Sequence, residues 1–114
     1  MTHRITITDH STGKTYSPRR QTIEAIRAEK AEYGDEITLQ DILDLAARHW
    51  YGRNCGFFRN QGLADQGIYG QVVTPCSTGG LSCVTPRIWL EVFVDGNSVN
   101  DTIELHEALQ AEGE

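Results

Sequence analysis

The apolar positions of this chain follow two periods that change from segment to segment. From His3 to Asp9, Ile5 and Ile7 alternate with Arg4, Thr6 and Thr8, the period of two that sends neighbouring side chains to opposite faces of a strand. Ser11, Thr12 and Gly13 then supply turn residues, so Lys14 to Tyr16 is predicted to return as a short second strand. Ser17 followed by Pro18 reads as a helix cap with proline in the first turn, where its missing N–H leaves nothing unsatisfied. The helix so begun, over about residues 18 to 32, carries a thin apolar stripe of Ile23, Ile26, Ala31 and Tyr33 and is expected to stop at Gly34.

A second helix is written more strongly. Leu39, Ile42, Leu43, Ala46 and Trp50 recur at i, i+3, i+4, i+7 and i+11, Thr38 and Asp41 hold the two positions of a capping box, and Ile37 with Ile42 hold those of a hydrophobic staple. Gly52 tolerates the backbone that ends a helix, which predicts a stop near Trp50 or Tyr51. Residues 52 to 67 include Gly52, Gly56, Gly62 and Gly67 and keep neither period, so they are expected to form a long loop. Ile68 to Thr74 reads as a strand closed by Pro75, and Cys76 to Pro86 as irregular, with Gly79 and Gly80 at a hinge or hairpin tip. Arg87 to Asp95 is the best strand: Ile88, Leu90, Val92 and Val94 share one face, Trp89, Glu91 and Phe93 the other. Apolar residues on both faces argue for a central position. Asp95-Gly96-Asn97 turns the chain, and Asn100 or Asp101 is placed to cap a last helix running to about Ala111.

Hairpins with helices gathered between them predict an α+β fold, a single domain over residues 1–114 with an antiparallel sheet of about four strands covered on one side by two or three helices. Leu39, Ile42, Leu43, Ala46, Ile88, Leu90, Val92 and Val94 are expected to share its core. At 114 residues one hydrophobic core is the rule, and no run approaches the roughly 18 apolar residues of a membrane span. Met1 to Asp9 alternates polar and β-branched residues instead of pairing a basic region with an apolar one, so no secretory signal is read. Three cysteines are an odd number and too few to staple a domain of this length, which predicts free thiols and a cytoplasmic setting.

Charge changes the picture. Residues 1–59 hold nine Lys/Arg against eight Asp/Glu, whereas residues 60–114 hold one, Arg87, against eight, and the whole chain is −6. From Ile88 onward every charged side chain is acidic: Glu91, Asp95, Asp101, Glu104, Glu107, Glu112 and Glu114. Such a single-sign field attracts a basic partner, speeds its encounter and repels nucleic acid.

The densest chemistry lies from His49 to Arg59, which gathers Trp50, Tyr51, Phe57 and Phe58 with Cys55, Arg53 and Arg59 at the end of the second helix. His49, Cys55, Cys76 and Cys83 have the ligand types of a zinc site, but the intervening gaps of five, twenty and six residues lack the close pairs that structural zinc sites use. Cys55 between two arginines would have the electrostatics of a nucleophile with His49 as its base, yet no third group is in place to orient the base. The four aromatic residues with Arg48, Arg53 and Arg59 have the composition of a single-strand nucleic-acid site, and the net −6 opposes it. The pairs Asp41 with Asp44 and Glu104 with Glu107 fall at helical spacing on faces expected to be solvated, and no Lys-Ser/Thr follows Gly79-Gly80 to make a phosphate loop.

The expectation that absorbs most of the sequence is a non-catalytic module, without cofactor, metal, membrane or direct nucleic-acid contact, that binds another protein with a basic surface. Glu91, Asp95, Asp101, Glu104 and Glu107 would meet that surface, with Trp50, Tyr51, Phe57 and Phe58 as an apolar anchor. A small metal-binding or cysteine-dependent enzyme centred on Cys55 and His49 is the alternative. In size, acidity and lack of motif the chain resembles, as a class and without any shared motif, the small phage-encoded inhibitors of nucleic-acid-handling complexes, anti-CRISPR proteins among them.

Overall fold

The computed structural model describes residues 3–59, 68–99 and 101–110. Ten elements follow in chain order: β1 (Ile5–Asp9), β2 (Lys14–Tyr16), α1 (Arg20–Glu32), α2 (Leu39–Tyr51), β3 (Gly56–Arg59), β4 (Ile68–Pro75), β5 (Leu81–Cys83), β6 (Ile88–Val94), β7 (Asn97–Val99) and α3 (Thr102–Gln110). The strands form one sheet in the order β2-β1-β6-β4-β3, with β5 on β4 and β7 on β6, and every pairing is antiparallel. As its two apolar faces imply, β6 is central. All five residues of β1 pair with it, from Ile5 opposite Val94 to Asp9 opposite Leu90. On its other side β4 takes Ile88 to Leu90 and β7 takes Val92 to Val94.

One face of the sheet is closed. Ile5, Ile7, Phe57, Ile68, Val72, Ile88, Leu90, Val92, Val94 and Val99 join Ile23 of α1, Leu39, Ile42, Leu43, Ala46 and Ala47 of α2, and Leu105 and Leu109 of α3 in a single buried cluster. The eight core positions read from the sequence all belong to it. The other face carries Thr6, Thr8, Tyr69, Gln71, Val73, Trp89, Glu91 and Phe93, all half-buried and facing away from the three helices of the described residues.

The capping box of α2 is complete. Thr38 Oγ1 accepts from Asp41 N–H, and the Asp41 carboxylate accepts from Thr38 N–H at 2.9 Å. The helix ends at Gly52, whose φ of 138° suits a residue without Cβ. For α1 the predicted cap is corrected: the helix starts at Arg20 with Arg19 before it, and Ser17 Oγ instead donates to Ile5 C=O at 2.8 Å, tying the chain to β1. A tertiary acceptor outcompetes the local cap there.

The strand count is also corrected, from about four to seven among the described residues. The three missed strands have three or four residues each, too short to show a period. β3 lies in the stretch expected to be loop; residues 60–67 of that stretch lie outside the described residues. It persists because α2 completes its hydrogen bonding. Phe57 N–H donates to Asp44 Oδ1 at 2.9 Å, and Phe57 C=O accepts from Gln40 Nε2 at 2.7 Å, the same amide that donates to Asp44. Helix side chains thus occupy the backbone groups that an edge strand otherwise leaves open. β7 returns through a two-residue turn, Asp95 at φ 54° and Gly96 at φ 87°, the doubly positive geometry that matches strand twist.

Candidate functional site

The acidic residues do not form one surface. Glu91 projects from the open face of β6, where its two oxygens accept from His10 Nε2 and Ser98 Oγ, each at 2.8 Å. Asp95 sits in the β6–β7 turn and is part of the strand register: its carboxylate takes Arg4 N–H and the His3 ring, and its own N–H donates to Arg4 C=O. The Arg4 N–H first, and then the His3 side chain, hold the Asp95 carboxyl below its ordinary value of 3.8 by stabilising the charged form. Asp101 accepts from Glu104 N–H at 2.8 Å and so caps α3. Asn100, the other cap candidate, and the predicted end of the helix at Ala111 fall outside the described residues.

Helix α3 therefore holds what remains together. Leu105 and Leu109 turn inward, while Ile103, Glu104, Glu107 and Gln110 face solvent. Ile103 is 69% exposed, an apolar side chain among carboxylates. His106 anchors this helix to the loop before α2, with Nε2 donating to Ile37 C=O at 2.6 Å and Nδ1 3.4 Å from Glu36. Thr102 Oγ1 accepts Leu39 N–H at 3.1 Å, which fixes the start of α3 against the start of α2. Exposed Glu36 thus lies beside the acidic helix, an addition that sequence distance concealed.

The aromatic stretch is distributed differently. Phe57 is 3% exposed and belongs to the core, and Trp50 and Tyr51 pack half-buried against it. Tyr51 lies under the Lys14 ammonium, 4.6 Å from ring centre, and His49 stacks on Tyr16 at 3.9 Å. Only Phe58, 55% exposed, points away, and it does so from the open sheet face. The stretch that looked most chemical in sequence mainly seals the β2 side of α2.

The residues of the alternative centre lie on separate stretches of the fold. Cys55 is half-buried against the core, His49 is committed to Tyr16, Cys76 contacts Ser82 in the β4–β5 hairpin, and Cys83 is exposed on β5. Among the described residues no three His, Cys, Asp or Glu side chains gather where a metal could bind. Two grooves flank α1: about 330 Å³ beside α2, lined by Ile26, Lys30, Tyr33, Asp41 and Arg48, and about 280 Å³ beside α3, lined by Arg27, Ala31, Glu36, His106 and Leu109. Both mix the signs of charge, unlike the predominantly apolar pockets that hold small ligands.

Two features escaped the sequence. Asp44, assigned to a solvated pair, is the clamp on β3. The row across the open face, His10 just after β1, Trp89 on β6 and Tyr69 on β4, has ring centres 4.3 and 5.7 Å apart; only strand register, invisible in one dimension, brings it together. Among the described residues no helix is long and apolar enough to cross a membrane. Compared with protein-family models, with curated proteins and with solved structures, the chain finds no match.

Proposed function

We propose that this chain is a protein-binding module, without catalysis of its own, that docks the solvent face of α3 on a basic surface of another protein inside the cell. The observation that carries this reading is Ile103, 69% exposed beside Glu104 and Glu107 on a helix anchored at its start by Asp101 and at its middle by His106. An apolar residue flanked by two like charges suits a small contact centre with an electrostatic rim. No Lys or Arg occurs from Ile88 to Gln110, so the field over this end steers a cationic partner. Where that partner's basic surface serves to hold nucleic acid, occupying it would inhibit the partner, the role suggested by the class of small acidic phage-encoded inhibitors, anti-CRISPR proteins included.

The test is affinity capture from host extract with the parent chain and with Glu104→Lys/Glu107→Lys side by side, followed by association kinetics for whatever is retained selectively by the parent. The reversal is expected to slow association by about tenfold or more, and raised salt to weaken parent binding, because exposed charges beyond a Debye length of about 8 Å are screened. Equal association by both proteins, insensitive to salt, would refute docking through α3.

A further inference from the structure

Asp95 is the only aspartate of the chain followed by glycine, and no asparagine is followed by one. The backbone nitrogen that follows an aspartate can attack its side-chain carboxyl carbon, and glycine puts no side chain in the way. Asp95 and Gly96 also form the two-residue turn between β6 and β7, both at positive φ, 54° and 87°. Water reaches this turn: the Asp95 side chain is nearly half exposed, and a Cβ built on Gly96 would meet nothing within 4 Å. In an unfolded chain Asp95 is therefore the aspartate most open to such attack. The fold opposes it. Asp95 Oδ1 accepts Arg4 N–H at 2.9 Å and Oδ2 is bonded to His3 Nδ1, so both oxygens are engaged by the segment that enters β1. Asp95 N–H donates to Arg4 C=O at 2.8 Å, which holds the backbone from which the side chain would have to swing. The Arg4 N–H first, and then His3, also favour the ionised carboxylate, whereas the attack needs the protonated acid, which can lose water.

We propose that Asp95 is a site of spontaneous isoaspartate formation, and that its contacts with Arg4 and His3 hold the reaction back in the folded chain. In the first step the Gly96 nitrogen bonds to Asp95 Cγ, the carboxyl hydroxyl leaves as water with the amide proton, and a cyclic imide remains. Water then opens the ring. Addition at the side-chain carbonyl restores aspartate; addition at the main-chain carbonyl sends the chain through Cβ and Cγ and leaves a free carboxylate on Cα. Mass is unchanged, and water is the only co-reactant. The product has a main chain one atom longer inside a tight turn, and a carboxylate one bond too short for its former partners. Val94 pairs with Asn97 across this turn, and the same ladder carries Val99, 3% exposed, into the core. The extra atom therefore spoils the β7 register and draws Val99 out of place. The proposal is independent of the α3 reading, because neither turn residue belongs to that helix.

The test follows isoaspartate in the full chain held for weeks at physiological temperature and neutral pH. The probe is isoaspartyl methyltransferase with labelled S-adenosylmethionine, and proteolytic mapping locates the modified peptide, which elutes apart at unchanged mass. The folded parent is expected to accumulate little, and the parent unfolded in guanidinium chloride far more, at Asp95. His3→Ala, verified as folded by circular dichroism, should react at Asp95 about fivefold faster than the folded parent or more, the factor that one net hydrogen bond carries. Leu43→Ala lowers global stability from α2 and leaves His3, Arg4 and Asp95 in place, so it should stay near the parent rate. Four results would each overturn the proposal: equal rates in the folded and unfolded parent, modification of the unfolded chain mainly elsewhere, a folded His3→Ala no faster than the parent, or Leu43→Ala as fast as His3→Ala.

Discussion

On the helix side of β6, Ile88, Leu90, Val92 and Val94 are each at most 3% exposed; on the other side Trp89, Glu91 and Phe93 keep part of their surface in solvent, although two of them are large and aromatic. The first set belongs to the buried cluster that includes residues of all three described helices, and spends its apolar area on stability. The second set faces away from the three helices of the described residues: Glu91 is hydrogen-bonded to His10 and Ser98, whereas Trp89 Nε1 has no partner among the described residues. One strand thus has a closed side and an open one, and substitutions on the two sides of the sheet should differ in what they cost.

The largest effect belongs to the closed side. Leu43, fully buried on α2, faces the sheet, and Leu43→Ala should cost about 2 to 5 kcal/mol through lost transfer energy and the cavity left behind. A urea midpoint that moves by less than the equivalent of about 1 kcal/mol would break the claim that the apolar face of α2 packs into the core. Next comes Gly70→Ala. A Cβ at Gly70 would stand 2.7 Å from the Phe57 ring and would collide with the Phe58 backbone carbonyl, so β3 must shift, at a cost of about 1 to 3 kcal/mol or more. Asp44→Ala strands Phe57 N–H and removes one of the two acceptors of the Gln40 amide; about 1 to 3 kcal/mol is expected, with the loss of amide protection concentrated in β3. On the open side, Phe58→Ser should change stability by no more than about 0.5 kcal/mol, as exposed substitutions do. If it costs as much as Asp44→Ala, the two sides do not differ as described.

The smallest effect is one of pH. Asp95 has its carboxyl lowered below 3.8 by Arg4 N–H and His3, so the charged form is the one the fold favours. Its stabilising contribution is fully present above the ordinary carboxylate range and is lost as pH falls through the lowered value. Asp95→Asn, which keeps a side chain that tolerates positive φ, should flatten that part of the acid-unfolding curve. An unchanged acid limb would show that the register contact carries no charge-dependent stability.

How much of this was legible depends on whether a residue's partner lay nearby in sequence. Thr38 and Asp41 are three residues apart, and their capping box could be read directly; so could the Asp95-Gly96 turn and the alternation that makes β6 central. Ser17 could not, because its acceptor, Ile5 C=O, comes from another element. Asp44 looked like a solvated carboxylate because the strand it holds is thirteen residues away. The acidic half misled in the same way: β6 sends Glu91 to one side of the sheet while α3 belongs to the other, and a count of charges along the chain contains no faces.

The first helix has a consequence for time rather than for structure. Of its side chains only Ile23 is buried, with Ile26 partly so, and Lys30 reaches Asp41 at 3.3 Å across the groove that separates α1 from α2. So little apolar area ties it down that opening this helix alone costs far less than unfolding the sheet. Its amides should therefore exchange with solvent deuterium through a local event, insensitive to low urea, on a clock much faster than that of β6. The chain would then carry two separate lifetimes, a short one for the outer helix and a long one for the central strand.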